Sequence, residues 1–192
     1  MPTTQFLGYL SGVLIIASFA PYVRDIFWGK TKPQRASWLI WALLGTIAFF
    51  SQWAKGAGDS LWLPGVQALG DLSIFVLALW YGVGGMSRGD IFALTGAGVG
   101  LILWYLTNEP ALALFISILI DGAGAVLTVI KAYHSPGSET VSSWVLTWLG
   151  GASGALAVGE LNFVLLAFPI YIVLACSAIL GAIFIGRSRE VV

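Results

Sequence analysis

The chain has 192 residues, of which 58% are hydrophobic and only 9% charged. Soluble domains carry about 25% charged residues, so this chain lacks the polar surface to face water, and the lipid bilayer is read as its solvent. Nine Lys and Arg balance nine Asp and Glu, and zero net charge with dispersed bases excludes nucleic acid as a partner. The single cysteine, Cys176, excludes an internal disulfide, and the single histidine, His134, excludes a two-histidine metal or catalytic site. No cofactor is indicated.

A spanning helix needs about 20 mostly apolar residues, and the chain offers seven such runs in order. The first, at 5–28, has no basic residue before it and no convincing cleavage site, so it reads as a retained span rather than a signal peptide. Pro21 near its end removes a helix hydrogen bond and invites a kink. It is a hinge candidate with Tyr22, or else an ordinary tolerated membrane-helix proline. Arg24 and Asp25 follow, as an ion pair at a gate or as interfacial anchors.

After the polar break GKTKPQR comes the second run, 36–54, with Trp38 and Trp41 near its start. Belts of tryptophan at membrane interfaces account for both, and for Trp53, Trp62, Trp144 and Trp148. Trp104, Tyr105 and the deeper Tyr171 read in the same way. The third run, 61–83, carries Gln67 and Asp71. The fourth, 91–107, is the shortest and contains Gly96, Gly98 and Gly100. The fifth, 111–132, carries Asp121, and the sixth and seventh occupy 141–158 and 163–186. Breaks rich in Gly, Pro, Asn and Ser separate them.

Lys and Arg report orientation. With the N-terminus outside, eight of the nine fall on the cytoplasmic side and only Lys55 lies outside. Asp71 and Asp121 then each sit about 15 Å into a helix entering from outside, near mid-bilayer. A charged Asp there costs about 2.5–3.5 kcal/mol, and no Lys or Arg lies at that depth to offset it. Taking up a proton removes that cost, and an intramembrane acid able to gain and lose a proton is what a proton-coupled transporter needs. The alternative is a neutral acid acting as packing glue between helices. Gln67, one turn before Asp71 on the same face, adds an amide to a pocket or a packing hydrogen bond.

The segment ASWLIWALLG at 36–45 is echoed by SSWVLTWLGG at 142–151, at an offset of 106. Residues 1–83 and 111–192 then form two three-helix units in the same orientation, with 84–110 holding a connector helix. The fold class is all-α membrane protein: seven transmembrane helices in a 3+1+3 parallel repeat, N-terminus outside, C-terminus cytoplasmic.

This plan, together with SFAPYVRDIFWGKTKPQRAS at 18–37, resembles the SWEET/PQ-loop (MtN3-like) transporter superfamily. In that family a Pro-Gln pair lies near the inner end of the first helix of each repeat, and a Ser opens the second helix about fifteen residues later. Here Pro21 takes the proline position, Tyr22 replaces the glutamine and Ser37 closes the motif. In the second copy Leu127 stands where proline is expected, so one proline of two and neither glutamine is kept. The literal Pro33-Gln34 lies twelve residues too late to be the motif.

The resemblance implies a divergent relative in a bacterial inner membrane, with a solute pathway between two three-helix bundles that opens alternately to each side. The expectation is a transporter for a small polar solute, proton-coupled through intramembrane Asp. The alternative is a seven-helix receptor or sensor that binds a small ligand without transport. An enzyme is not expected, because two lone acids without a histidine pair, metal cluster or nucleophile dyad leave little chemistry. Faces of small residues such as Gly8/Gly12, Gly96/Gly100 and Gly150/Gly154 suit close helix packing and permit a homo-oligomer.

Overall fold

A computed structural model describes residues 2–29, 33, 35–82, 88–134 and 136–190. Lys30, Lys32 and Gln34 lie outside the described residues, as do the side chains of Leu127 and Lys131. The described chain is helical and contains no β-strand. Seven α-helices run in order: α1 (Thr3–Phe27), α2 (Arg35–Ala54), α3 (Trp62–Tyr81), α4 (Arg88–Thr107), α5 (Pro110–His134), α6 (Val141–Ala157) and α7 (Phe163–Glu190). Short 3-10 turns at Asp59–Leu61 and Pro136–Ser138 precede α3 and α6. The ends of every helix lie within four residues of those expected from hydropathy and loop chemistry. The largest differences are α4, which begins three residues earlier at Arg88, and α7, which runs on to Glu190.

Four segments are long and apolar enough to cross a bilayer: Thr3–Phe27, Arg35–Ala54, Asp59–Tyr81 and Phe163–Arg189. Leu94–Thr107 and Pro110–Gly122 are shorter apolar helices. The helices also bear an outward layer of large apolar side chains, including Val13 and Ile16 on α1, Leu69 and Leu79 on α3, and Leu174 and Phe184 on α7. An exposed apolar surface this extensive is what lipid requires and water penalises.

The packing order is specific. α3 packs on both α1 and α2, and α7 packs on both α5 and α6. The two groups join through α1 against α6 and α2 against α5, and α4 lies against α5 and α2. Helix directions follow from close approaches between residues. Gly70 meets Phe19 and Gly12 meets Trp62, so α1 and α3 run parallel; Gly45 faces Ala68 and Gly65 faces Phe49, so α2 runs against α3. Likewise Gly122 approaches Tyr171 and Gly186 approaches Tyr133, making α5 and α7 parallel, while Gly151 against Ile172 and Trp148 against Ser177 set α6 against α7.

The core lies where the six helices converge. Ile15, Ala48, Leu63, Leu114, Phe168, Ile172 and Cys176 form one buried cluster drawn from α1, α2, α3, α5 and α7, with Trp144 and Trp148 of α6 packed against it. Two small residues allow the close approach. A Cβ on Gly150 would meet Ile15 Cδ1 at 2.7 Å, and one on Gly8 would meet the backbone oxygen of Asp59 at 2.3 Å. Neither position accommodates a side chain without displacement of its neighbour.

Candidate functional site

Asp71 lies mid-way along α3 and is only 4% exposed. One turn earlier, Gln67 Nε2 donates to Asp71 Oδ1 at 3.2 Å and to Oδ2 at 3.4 Å. The four-residue spacing places both side chains on one helix face. Asp121 lies mid-way along α5 and is half-buried. Its Oδ2 accepts a hydrogen bond from the Tyr171 hydroxyl of α7 at 2.8 Å. Gly122, next to Asp121, lies beside the Tyr171 ring: a Cβ there would stand 3.8 Å from the ring edge, an ordinary contact.

The two carboxyls come from different helix groups, Asp71 from α3 and Asp121 from α5. Among the described residues neither has an ion-pair partner; the ion pairs found are Arg24–Asp25 and Lys55–Glu109. The partners at the centre are neutral, an amide for one acid and a phenol for the other. Such an arrangement can hold and release protons, and it can offer hydrogen bonds to a polar guest. No group of three or more His, Cys, Asp or Glu that could hold a metal ion occurs among the described residues.

The gate and hinge candidates gather at the C-terminal end of α1. The helix continues through Pro21 to Phe27. Tyr22 is half-buried and its ring lies 5.0 Å from that of Trp38, tilted by 52°. Arg24 Nε donates to Asp25 Oδ1 at 3.0 Å, and its guanidinium sits 4.8 Å above the Trp28 ring. These contacts are internal to α1 and its end, so the Arg24–Asp25 pair does not bridge the two helix groups. Pro64 falls in the first turn of α3, where its missing N–H costs nothing, and Pro169 is buried inside α7.

Four residues have contacts that sequence reasoning did not assign. Tyr171 is a partner of Asp121 rather than an interfacial aromatic, and its depth in the seventh run is the one signal that set it apart. Trp148 donates its indole N–H to Ser177 Oγ at 2.8 Å. Trp38, assigned to a belt, is 8% exposed and packs with Ile26 and Ile74, its ring against Tyr22. Arg35, counted for orientation, also closes the end of α3, donating to the carbonyls of Ala78 at 2.9 Å and Gly82 at 3.1 Å. The sequence contains no spacing signal for any contact made between helices so far apart in the chain.

Two cavities lie elsewhere. A groove of about 780 Å³ between α2 and α4 is lined by apolar side chains such as Leu43, Ile47, Phe50 and Leu101. A smaller one of about 380 Å³ lies between α5 and α7, lined by Val129, Tyr133 and Ala182 among others. Neither includes Asp71 or Asp121.

The all-helical fold, its four membrane-length helices and its apolar outer layer define an integral membrane protein. No family model, curated protein or solved structure matches the chain.

Proposed function

We propose that this protein is a membrane transporter for a small polar solute, working by alternating access and proton-coupled through Asp71 and Asp121. The observation that carries the reading is a carboxyl at the middle of one helix in each helix group, held in each case by a neutral partner: Gln67 for Asp71 and Tyr171 for Asp121. An acid held by a neutral partner can take up and release a proton without breaking an ion pair.

In this reading all seven helices cross the bilayer. At 1.5 Å per residue even the 17-residue α6 extends about 25 Å, close to the hydrocarbon thickness. α1–α3 and α5–α7 are two copies of one parallel unit, and α4 is the connector. The packing order supports this. Exchanging α1 with α5, α2 with α6 and α3 with α7 leaves the set of packed pairs among these six helices unchanged, while α4 packs on α5 and α2 alone of them. The N-terminus lies outside and the C-terminus in the cytoplasm, as the Lys and Arg distribution indicates, and the resemblance implies a bacterial inner membrane. The resemblance to the SWEET/PQ-loop superfamily belongs to the same reading.

The test begins with a ligand-thermostability screen across pH, which identifies the solute class. Uptake into proteoliposomes under an imposed pH gradient follows. Asp71→Asn and Asp121→Asn should each abolish gradient-driven uptake while leaving a folded protein. Normal gradient-driven uptake by both variants would overturn proton coupling. Ligand binding without flux would establish a receptor instead.

A further inference from the structure

The C-terminal end of α2 holds polar groups of a different kind from those at the centre. Ser51 and Gln52 are both 0% exposed, and Ser60 is 1% exposed. Among the described residues, Ser51 Oγ, Ser60 Oγ and both Gln52 side-chain atoms, Nε2 and Oε1, have no hydrogen-bond partner. Ser51 and Gln52 follow Ala48 by three and four residues, so they continue the stripe that carries Ala48 into the central cluster.

The chain then folds back over this end. The Gln52 carbonyl accepts from Lys55 N at 3.1 Å and Ala57 N at 3.0 Å. The 3-10 turn Asp59–Leu61, which carries Ser60, packs against α1, α2, α3 and α6 together. It forms a plug over one end of the helix assembly, pressed so closely onto α1 that only Gly8 leaves room for the Asp59 carbonyl.

A buried primary amide with neither its donor nor its acceptor engaged is costly, because it has given up water without replacement. The four orphaned atoms are neutral and include donors and acceptors. They suit a guest with the same dual character and no charge, which is a hydroxyl group. We propose that Gln52, Ser51 and Ser60 form a hydroxyl-binding station beneath the plug, occupied by water or by a hydroxyl of a neutral polyol. Ordered water in proteins typically bridges about three otherwise unsatisfied buried polar groups, and the turn that carries Ser60 packs on α2, the helix that carries Ser51 and Gln52. The inference stands on burial and hydrogen bonding and does not depend on the transport reading.

The test is solution NMR on the full chain in lipid nanodiscs with 15N-labelled glutamine. Variants at Gln5, Gln34 and Gln67 assign the Gln52 side-chain amide by subtraction. The expected result is cross-relaxation, distinct from hydrogen exchange, between that amide and a long-lived water. Xylitol is then added as the polyol probe. Replacement of the water signal by contacts to xylitol protons assigns the station to a polyol; an unaltered water signal assigns it to water. Ser60→Ala should weaken the signal in either case. An amide that relaxes with neither water nor xylitol is dry and overturns the station. A water signal unchanged by Ser60→Ala overturns the shared binding by Gln52 and Ser60.

Discussion

The two seams that join the helix groups are built differently. At α1/α6 the backbones come together. Ser11 Oγ donates to the Gly150 carbonyl at 2.7 Å in a buried contact, and Ile15 lies over the space where a Gly150 side chain would stand. A Cβ on Gly154 would meet Ser11 Oγ of α1 at 3.2 Å. At α2/α5 side chains separate the backbones. Ile40, Leu44 and Ile47 meet Ala113, with Ala97 of α4 sharing the cluster. The open groove between α2 and α4 runs alongside. Close-packed backbone resists sliding, whereas a side-chain seam beside free volume can repack. The α1/α6 seam is therefore suited to be a pivot and the α2/α5 seam a moving edge.

Enlarging the tight seam should have the largest effect. Gly150→Leu must displace Ile15 and pry α1 from α6, lowering stability by about 3 kcal/mol. Thermal unfolding in detergent measures this. The control is Gly98→Ala on α4, where the added Cβ meets nothing within 4 Å and the helix gains about 0.5–1 kcal/mol. A Gly150→Leu protein as stable as wild type would erase the distinction between the seams.

Tyr171→Phe comes next, at about 2 kcal/mol, because it leaves the Asp121 carboxyl without its donor. Since Tyr171 and Asp121 belong to the same helix group, this loss should add to that of a seam variant. Strong non-additivity in a double-mutant cycle with Ser11→Ala would show that the site and the pivot are one unit. Ser11→Ala alone should cost about 1 kcal/mol, one buried hydrogen bond.

The smallest effect belongs to the moving edge. Lys55 Nζ and Glu109 Oε2 pair at 2.8 Å across the ends of α2 and α5, with both side chains partly exposed. Lys55→Met should change stability by under about 0.5 kcal/mol after solvent screening, and that change should vanish in high salt. A larger, salt-resistant loss would make this edge as firm as the pivot.

Most of the fold was legible in the sequence for one physical reason. Apolar runs must match a hydrocarbon layer, and polar Gly, Pro and Asn breaks end them. Hydropathy therefore located the seven helices and most of their ends. Gln67 and Asp71 share a face by helical spacing alone, so their neighbourhood was readable as well. The rest depends on which helix lies beside which. Tyr171 and Asp121 are fifty residues apart, and nothing local marks them as partners. The assignments of Trp38 and Tyr171 to a belt failed for a related reason. Interface and interior both favour tryptophan, so Trp38 could be distinguished only once its burial against Ile26 and Ile74 was known. Gln52 was invisible because a glutamine near a helix end reads as a surface residue until the following turn covers it.

One feature of the core has a practical use. Cys176 is the chain's only thiol, is 2% exposed and lies within the central cluster. Aqueous maleimides reach it only when the middle of the molecule opens, so its labelling rate counts openings without any engineered probe. In the proposed transport cycle, a solute that holds the centre shut should slow the reaction, and one that drives cycling should speed it. The same concealment gives a quiet background for paired spin labels placed at positions 55 and 109. The width of the moving edge could then be followed as a distance in native lipid.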